Sequence, residues 1–145
     1  MNVSSILHRK GTQVVYAGPD LPLLDAAQRL ADEGVGSLVV LDESRELLGV
    51  LSERDLVRAL TKHGRGAPGV PIVEALHRQP VVCHPEDPLR AVLSIMTQQR
   101  TRHLPVYAGE ALVGLISIGD VVKGLLEELE MEVGVLRDVA RAKRR

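Results

Sequence analysis

The chain has 145 residues, 18 Lys+Arg against 19 Asp+Glu, and 45% hydrophobic residues. That length accommodates one compact domain or two small halves sharing a core, and the balanced charge supplies no global field for nucleic acid or membrane. Tyr16 and Tyr107, with no Phe or Trp, argue against single-strand nucleic-acid binding by base stacking.

The N-terminal MNVSSILHRKG lacks the apolar stretch of a signal peptide, and no run reaches membrane-spanning length. After an insertion at residues 11–13, a short strand is expected at 14–17. A helix then opens at the Asp20–Pro22 signal and runs through Leu24, Ala27, Leu30 and Ala31 to Gly34. A strand pair follows, 38–41 and 48–51, joined by a polar turn, and a second helix starts near Glu53. Residues 64–71 (GRGAPGVP) read as a linker unable to hold a regular element. The order then repeats: a strand at 81–84, a helix after Asp87-Pro88 through Val92, Leu93 and Met96, strands at 104–107 and 112–116, and a helix near Ile118. The single cysteine, Cys83, excludes an internal disulfide and suits a reducing cytoplasm. The last helix carries Leu125, Leu126, Leu129, Val133 and Leu136 at the spacing of a packing stripe, which suggests a homodimer. An acidic stretch, 127–132, precedes a basic tail, 137–145. Such tails are commonly solvated, although this one offers a surface to nucleic acid or an acidic partner.

The chain is therefore one unit used twice. GVLSERDLV at 49–57 returns as GLISIGDVV at 114–122, VGSLVV at 35–40 lies over TRHLPV at 101–106, and VSSILHRK at 3–10 lies over IVEALHRQ at 72–79. These segments resemble a tandem pair of CBS domains, a Bateman module, of the small free-standing bacterial type. The resemblance implies an α+β fold of two pseudo-symmetric β-α-β-β-α repeats packed together, with an extended C-terminal helix. It divides the chain into a first repeat, 1–65, a linker, 66–71, a second repeat, 72–130, and a helical extension with basic tail, 131–145. It also implies a cleft between the repeats with two related sites for an adenosine-type ligand, AMP, ADP, ATP or NAD(H), and a regulatory role without catalysis.

Carried over by position, one site takes Ser52, Asp55, Pro80, Val81, Thr101, Arg102 and His103. The other takes Val14, Val15, Val35, Gly36, Ser37, Arg54, Ser117 and Asp120. An aspartate at a helix start can accept bonds from both ribose hydroxyls, a serine three residues earlier can reach the ribose or first phosphate, and the helix N-terminus favours phosphate. Arg102, His103 and Arg54 are the candidate phosphate contacts, and Lys10 and Thr12 are candidates to lie over the second site. Ser and Asp at these positions equally suit simple helix capping. Scattered histidines and Cys83-His84 lack zinc-site spacing, and neither serine has a hydrolase elbow or an indicated base. A ligand-sensing module that modulates an unidentified partner and a constitutive dimeric scaffold with vestigial sites both fit these features.

Overall fold

Strand β2 (Ser37–Leu41) is buried along its whole length, as suits a branched apolar run with a neighbour on each edge. In the computed structural model, which describes residues 1–76 and 80–144, it is the middle strand of a sheet ordered β1-β2-β3. β1 (Tyr16–Ala17) runs parallel to it, and β3 (Leu47–Ser52) antiparallel, pairing Ser37 with Ser52 and Leu38 with Leu51. The parallel pair needs a crossover, which α2 (Leu23–Glu33) provides. β1 is shorter than the strand expected at 14–17, although the Val15 carbonyl still accepts the Val39 N–H at 2.9 Å.

These elements belong to one of two bodies, comprising Gln13–Val82 and His103–Pro105. Leu23, Ala26 and Leu30 of α2 pack with Leu38, Val40, Leu51, Ala59 and Ile72. The inward face of α2 is thus offset by one residue from the stripe expected through Leu24 and Ala27, and Leu24 is 57% exposed. Both stripes are apolar, so periodicity alone does not choose between them. Gly34 ends the helix at φ 66°, in the left-handed region where glycine is unstrained.

Residues 64–71 are not the structureless linker that their composition suggested. Gly64–Gly69 forms a 3-10 helix with Ala67 buried. Short i→i+3 turns tolerate the glycine and proline that would break a longer helix. The Val70 carbonyl then accepts the Leu23 N–H at 2.9 Å, filling a helix N-terminus that Pro22 cannot cap with a side chain. A second 3-10 turn, Ile72–Ala75, follows.

The other body comprises Met1–Thr12, Cys83–Arg102 and Val106–Arg145. Helix α1 (Val3–Lys10) is capped by Asn2, whose Oδ1 accepts the Ser5 N–H at 3.1 Å, and buries Val3, Ile6 and Leu7. Helix α4 (Leu89–Gln99) buries Leu89, Val92 and Met96. The strand expected at 81–84 is reduced to a single parallel bridge between Cys83 and Val106. Pro80 and Pro85 bracket the segment and remove the donors that a longer ladder needs. Burial, and then the charge of Asp87, push the Cys83 thiol up to about 12, so it stays protonated and inert at neutral pH. Strand β4 (His103–Ala108) pairs with β5 (Ala111–Ser117), and α5 (Ile118–Lys143) completes the chain order.

The repeated glycines of the two motifs have one structural purpose. A Cβ on Gly114 would lie 2.6 Å from Leu7 Cδ2, and one on Gly49 would lie 3.2 Å from Leu76 Cδ1. Leu7 and Leu76 are repeat equivalents, so each glycine admits the same leucine onto its strand. Each repeat's leading segment thus packs on the strand of the other repeat: α1 on β5, and 72–76 on β3. The repeat-equivalent His77 and the last tail residue, Arg145, lie outside the described residues. None of the described helices is long and apolar enough to cross a membrane.

Candidate functional site

Ser52 and Ser117 each end a strand and cap the helix that follows, α3 (Glu53–His63) and α5 respectively. At α3 the Ser52 N–H and Oγ donate to Asp55 Oδ2 at 2.8 and 3.1 Å. At α5 the Ser117 N–H donates to Asp120 Oδ2 at 2.9 Å, while Ser117 Oγ accepts the Asp120 N–H at 3.2 Å. The aspartate in each repeat reaches back to the cap residue, the reciprocal arrangement of a capping box. The first N–H of each helix is also matched: Glu53 donates to the Gly36 carbonyl at 3.1 Å, and Ile118 to the Arg102 carbonyl at 2.8 Å. Gly36 and Arg102 are themselves repeat equivalents.

The two carboxylates differ in their surroundings. Asp55 is only 3% exposed and accepts from Arg58, one turn along its own helix, at 3.2 Å. Asp120 is half-buried and meets a cation from a distant part of the chain. Lys10 Nζ donates to Asp120 Oδ2 at 2.6 Å and to the Leu115 carbonyl at 3.0 Å. Burial opposes ionisation of Asp120. The Lys10 hydrogen bond, the Ser117 backbone N–H, the Lys10 charge and the Ser117 hydroxyl outweigh it and hold the carboxyl below its usual range. The Lys10 ammonium and the Ser117 N–H both bond to Oδ2.

Within the body of Gln13–Val82, the structure gathers several expected site residues. A methyl group on Gly36 would lie 3.5 Å from Glu53 Oε1 and 3.8 Å from His103 Nε2. Val35 and Gly36, with Ala27, Ala31, Glu53 and Leu56, line an open groove of about 470 Å³. Ser37 is buried, Val14, Val15 and Val81 are half-buried, and Pro80 and Arg54 are exposed. In the other body, Thr101 is tied to the end of α4 through the Met96 carbonyl at 3.0 Å. The Arg102 side chain there is exposed, and its carbonyl holds the start of α5.

Two partners were not expected from sequence. Arg58 has the i,i+3 spacing that places it on the Asp55 face, a signal available in the residues. Glu53 sits beside Gly36 because it opens the helix immediately after Ser52. Lys10, which sequence placed only loosely over the second site, is brought to Asp120 by the packing of α1. No cluster of three or more His, Cys, Asp or Glu side chains among the described residues could hold a metal ion.

Comparison with known proteins places this geometry. The family model for the CBS domain matches twice, over residues 3–62 and 72–127. A crystal structure of a CBS-domain containing protein from Agrobacterium tumefaciens is 38% identical with a TM-score of 0.80, covering 84% of this chain and 91% of that one. The CBS domain-containing protein YhcV of Bacillus subtilis is 29% identical over 119 residues, 82% of this chain and 84% of the relative. The CBS domain pair of protein MJ0100, in complex with 5′-methylthioadenosine and S-adenosyl-L-methionine, shares the fold at 21% identity and a TM-score of 0.76, covering 88% of this chain and 98% of that one. Two matches to the family model in tandem, together spanning most of the chain, show that it belongs to the CBS domain family.

Proposed function

We propose that the chain is a non-catalytic sensor that binds an adenosine-type ligand, AMP, ADP, ATP or NAD(H), and modulates a partner protein. The observation that carries this reading is the duplicated Ser–x–x–Asp cap. Both repeats keep a carboxylate and a serine at a helix N-terminus, where a ribose and its first phosphate find acceptors and donors together. Capping alone would be served by many residue pairs, and it does not ask both repeats to choose the same one. The adenosine compounds named for the MJ0100 pair support the ligand class. Ser52 and Asp55, with Pro80, Val81, Thr101, Arg102 and His103, form one proposed set. Ser117 and Asp120, with Val14, Val15, Val35, Gly36, Ser37 and Arg54, form the other.

The test is thermal stability of the purified chain against AMP, ADP, ATP, NADH, S-adenosylmethionine and guanine nucleotides. A ligand at about 100 times its dissociation constant adds roughly 2.7 kcal/mol, a shift of several degrees in a small domain. No shift with any compound, in folded protein free of carried-over ligand, would favour the scaffold reading.

Helix α5 supports assembly as a homodimer. Val121 and Gly124 are buried, while Val122, Leu126, Leu129, Val133 and Leu136 are exposed. Their alternating spacing of four and three is the seam of paired helices. The acidic residues Glu130 and Glu132 precede the basic residues Arg137 and Arg141, so a second copy laid antiparallel would match charge to charge. Leu129→Glu combined with Val133→Glu is expected to convert a dimer into a monomer in light scattering. A wild-type monomer, or a dimer indifferent to both substitutions, would remove α5 as the interface.

A further inference from the structure

Lys10 reaches Asp120 because three contacts pin α1 along its length. Arg9 pairs with Glu127, the N-terminal amine pairs with Glu128, and Leu7 sits on Gly114. The helix ends at Gly11, at φ 91°, immediately after the lysine, and the ammonium sits on Asp120 Oδ2 and the Leu115 carbonyl. The other repeat differs. The counterpart of Lys10 is the neutral Gln79, which lies outside the described residues, and the cation beside Asp55 comes from its own helix.

We propose that Lys10 sets the ligand specificity of the Asp120 site, selecting an adenosine compound that carries an anionic group next to its ribose. This rests on the adenosine-binding reading above. An aspartate accepts both ribose hydroxyls best when ionised, and an ionised carboxylate one sugar ring from a phosphate repels it. Lys10 removes that conflict by making the carboxylate and ammonium together neutral. When ribose hydroxyls take up acceptor positions on Asp120, the flexible lysine stem lets the ammonium turn to the phosphate. A neutral nucleoside gains nothing from this arrangement, and a ligand with a cationic sulfonium beside its ribose is disfavoured by it. A charge acting over a few ångströms in a partly solvated site changes affinity by roughly tenfold.

The experiment is titration calorimetry of the full chain with AMP and with adenosine, in an Asp55→Asn background that isolates the Asp120 site, comparing Lys10 with Lys10→Met and Lys10→Arg. Melting curves first confirm that each variant is folded. Lys10→Met is expected to weaken AMP about tenfold and leave adenosine unchanged, with Lys10→Arg restoring AMP. If the two compounds weaken together, Lys10 is structural and the specificity role fails. If both tighten, Lys10 merely blocks the carboxylate, and the role fails again. If neither compound binds the wild-type chain, the specificity role fails, and the adenosine reading itself falls only if ADP, ATP and NADH also fail to bind.

Discussion

Asp120→Ala is expected to weaken an adenosine-type ligand at its site by about 10- to 100-fold, because each charge-assisted hydrogen bond contributes roughly 1.5–3 kcal/mol. The cost to the fold is smaller, about 1 kcal/mol, because the lysine it releases is partly exposed and can be rehydrated. Asp55→Ala should weaken its own site similarly but cost the fold more, roughly 1–3 kcal/mol. Asp55 is nearly fully buried, and removing it strands the Ser52 N–H and hydroxyl. Calorimetric titration and urea unfolding of both variants separate the two quantities. Binding lost with little change in stability would identify Asp120 as a ligand contact. Stability lost with unchanged binding would reduce Asp55 to a cap.

Asp120 adds a pH dependence of definite sign. Its carboxyl lies below the usual range in the folded chain. It therefore contributes stability that is fully present above the unfolded pKa and is lost as pH falls through the lower, folded one. Asp120→Asn lacks that contribution, so its deficit relative to wild type should shrink as unfolding is measured in progressively more acidic buffer. A deficit constant with pH would mean that the Lys10 pair does not hold in solution.

Much of this architecture was legible because the chain states it twice. The repeated motif located both strand-to-helix junctions, and the structure places α3 and α5 immediately after Ser52 and Ser117. What sequence missed follows from forces that are not local. The inward face of α2 was ambiguous because Leu23 and Leu24 are equally apolar, and only packing against Leu38 and Leu51 separates them. The strand at 81–84 looked β-rich, yet flanking prolines removed its ladder. The 3-10 helix at Gly64–Gly69 hid in a composition that ordinarily marks a loop, because its purpose, offering the Val70 carbonyl to Leu23, is tertiary. Lys10 stood out by position but not by partner, since Asp120 lies 110 residues away. The Gly114–Leu7 and Gly49–Leu76 contacts explain the leading glycine of each motif, which sequence showed as recurrent without a reason.

The largest loss of stability should come from the residue that precedes each serine. Leu51 and Ile116 are repeat equivalents and fully buried on the inward faces of β3 and β5. Truncation to alanine removes three carbon atoms from a packed interior that relaxes only in part, at a cost of roughly 2–5 kcal/mol. Val50 is only half-buried, so Val50→Ala should cost less in the same urea-unfolding series. A Leu51→Ala loss no greater than that of Val50→Ala would mean that β3 is turned the other way, which would also misplace Ser52. The consequence for ligand is direct, because Ser52 and Ser117 follow these side chains without an intervening residue. A cavity at Leu51 or Ile116 loosens the strand end that aims the cap. The aspartate three residues on keeps its chemistry but loses its fixed position, and affinity should fall even though no ligand-contacting atom has been removed. Ile116→Val, which deletes a single methylene at about 0.5–1.5 kcal/mol, should recover most of both stability and binding. Recovery of stability without binding would show that Ile116 shapes the Asp120 site beyond filling the core beneath it.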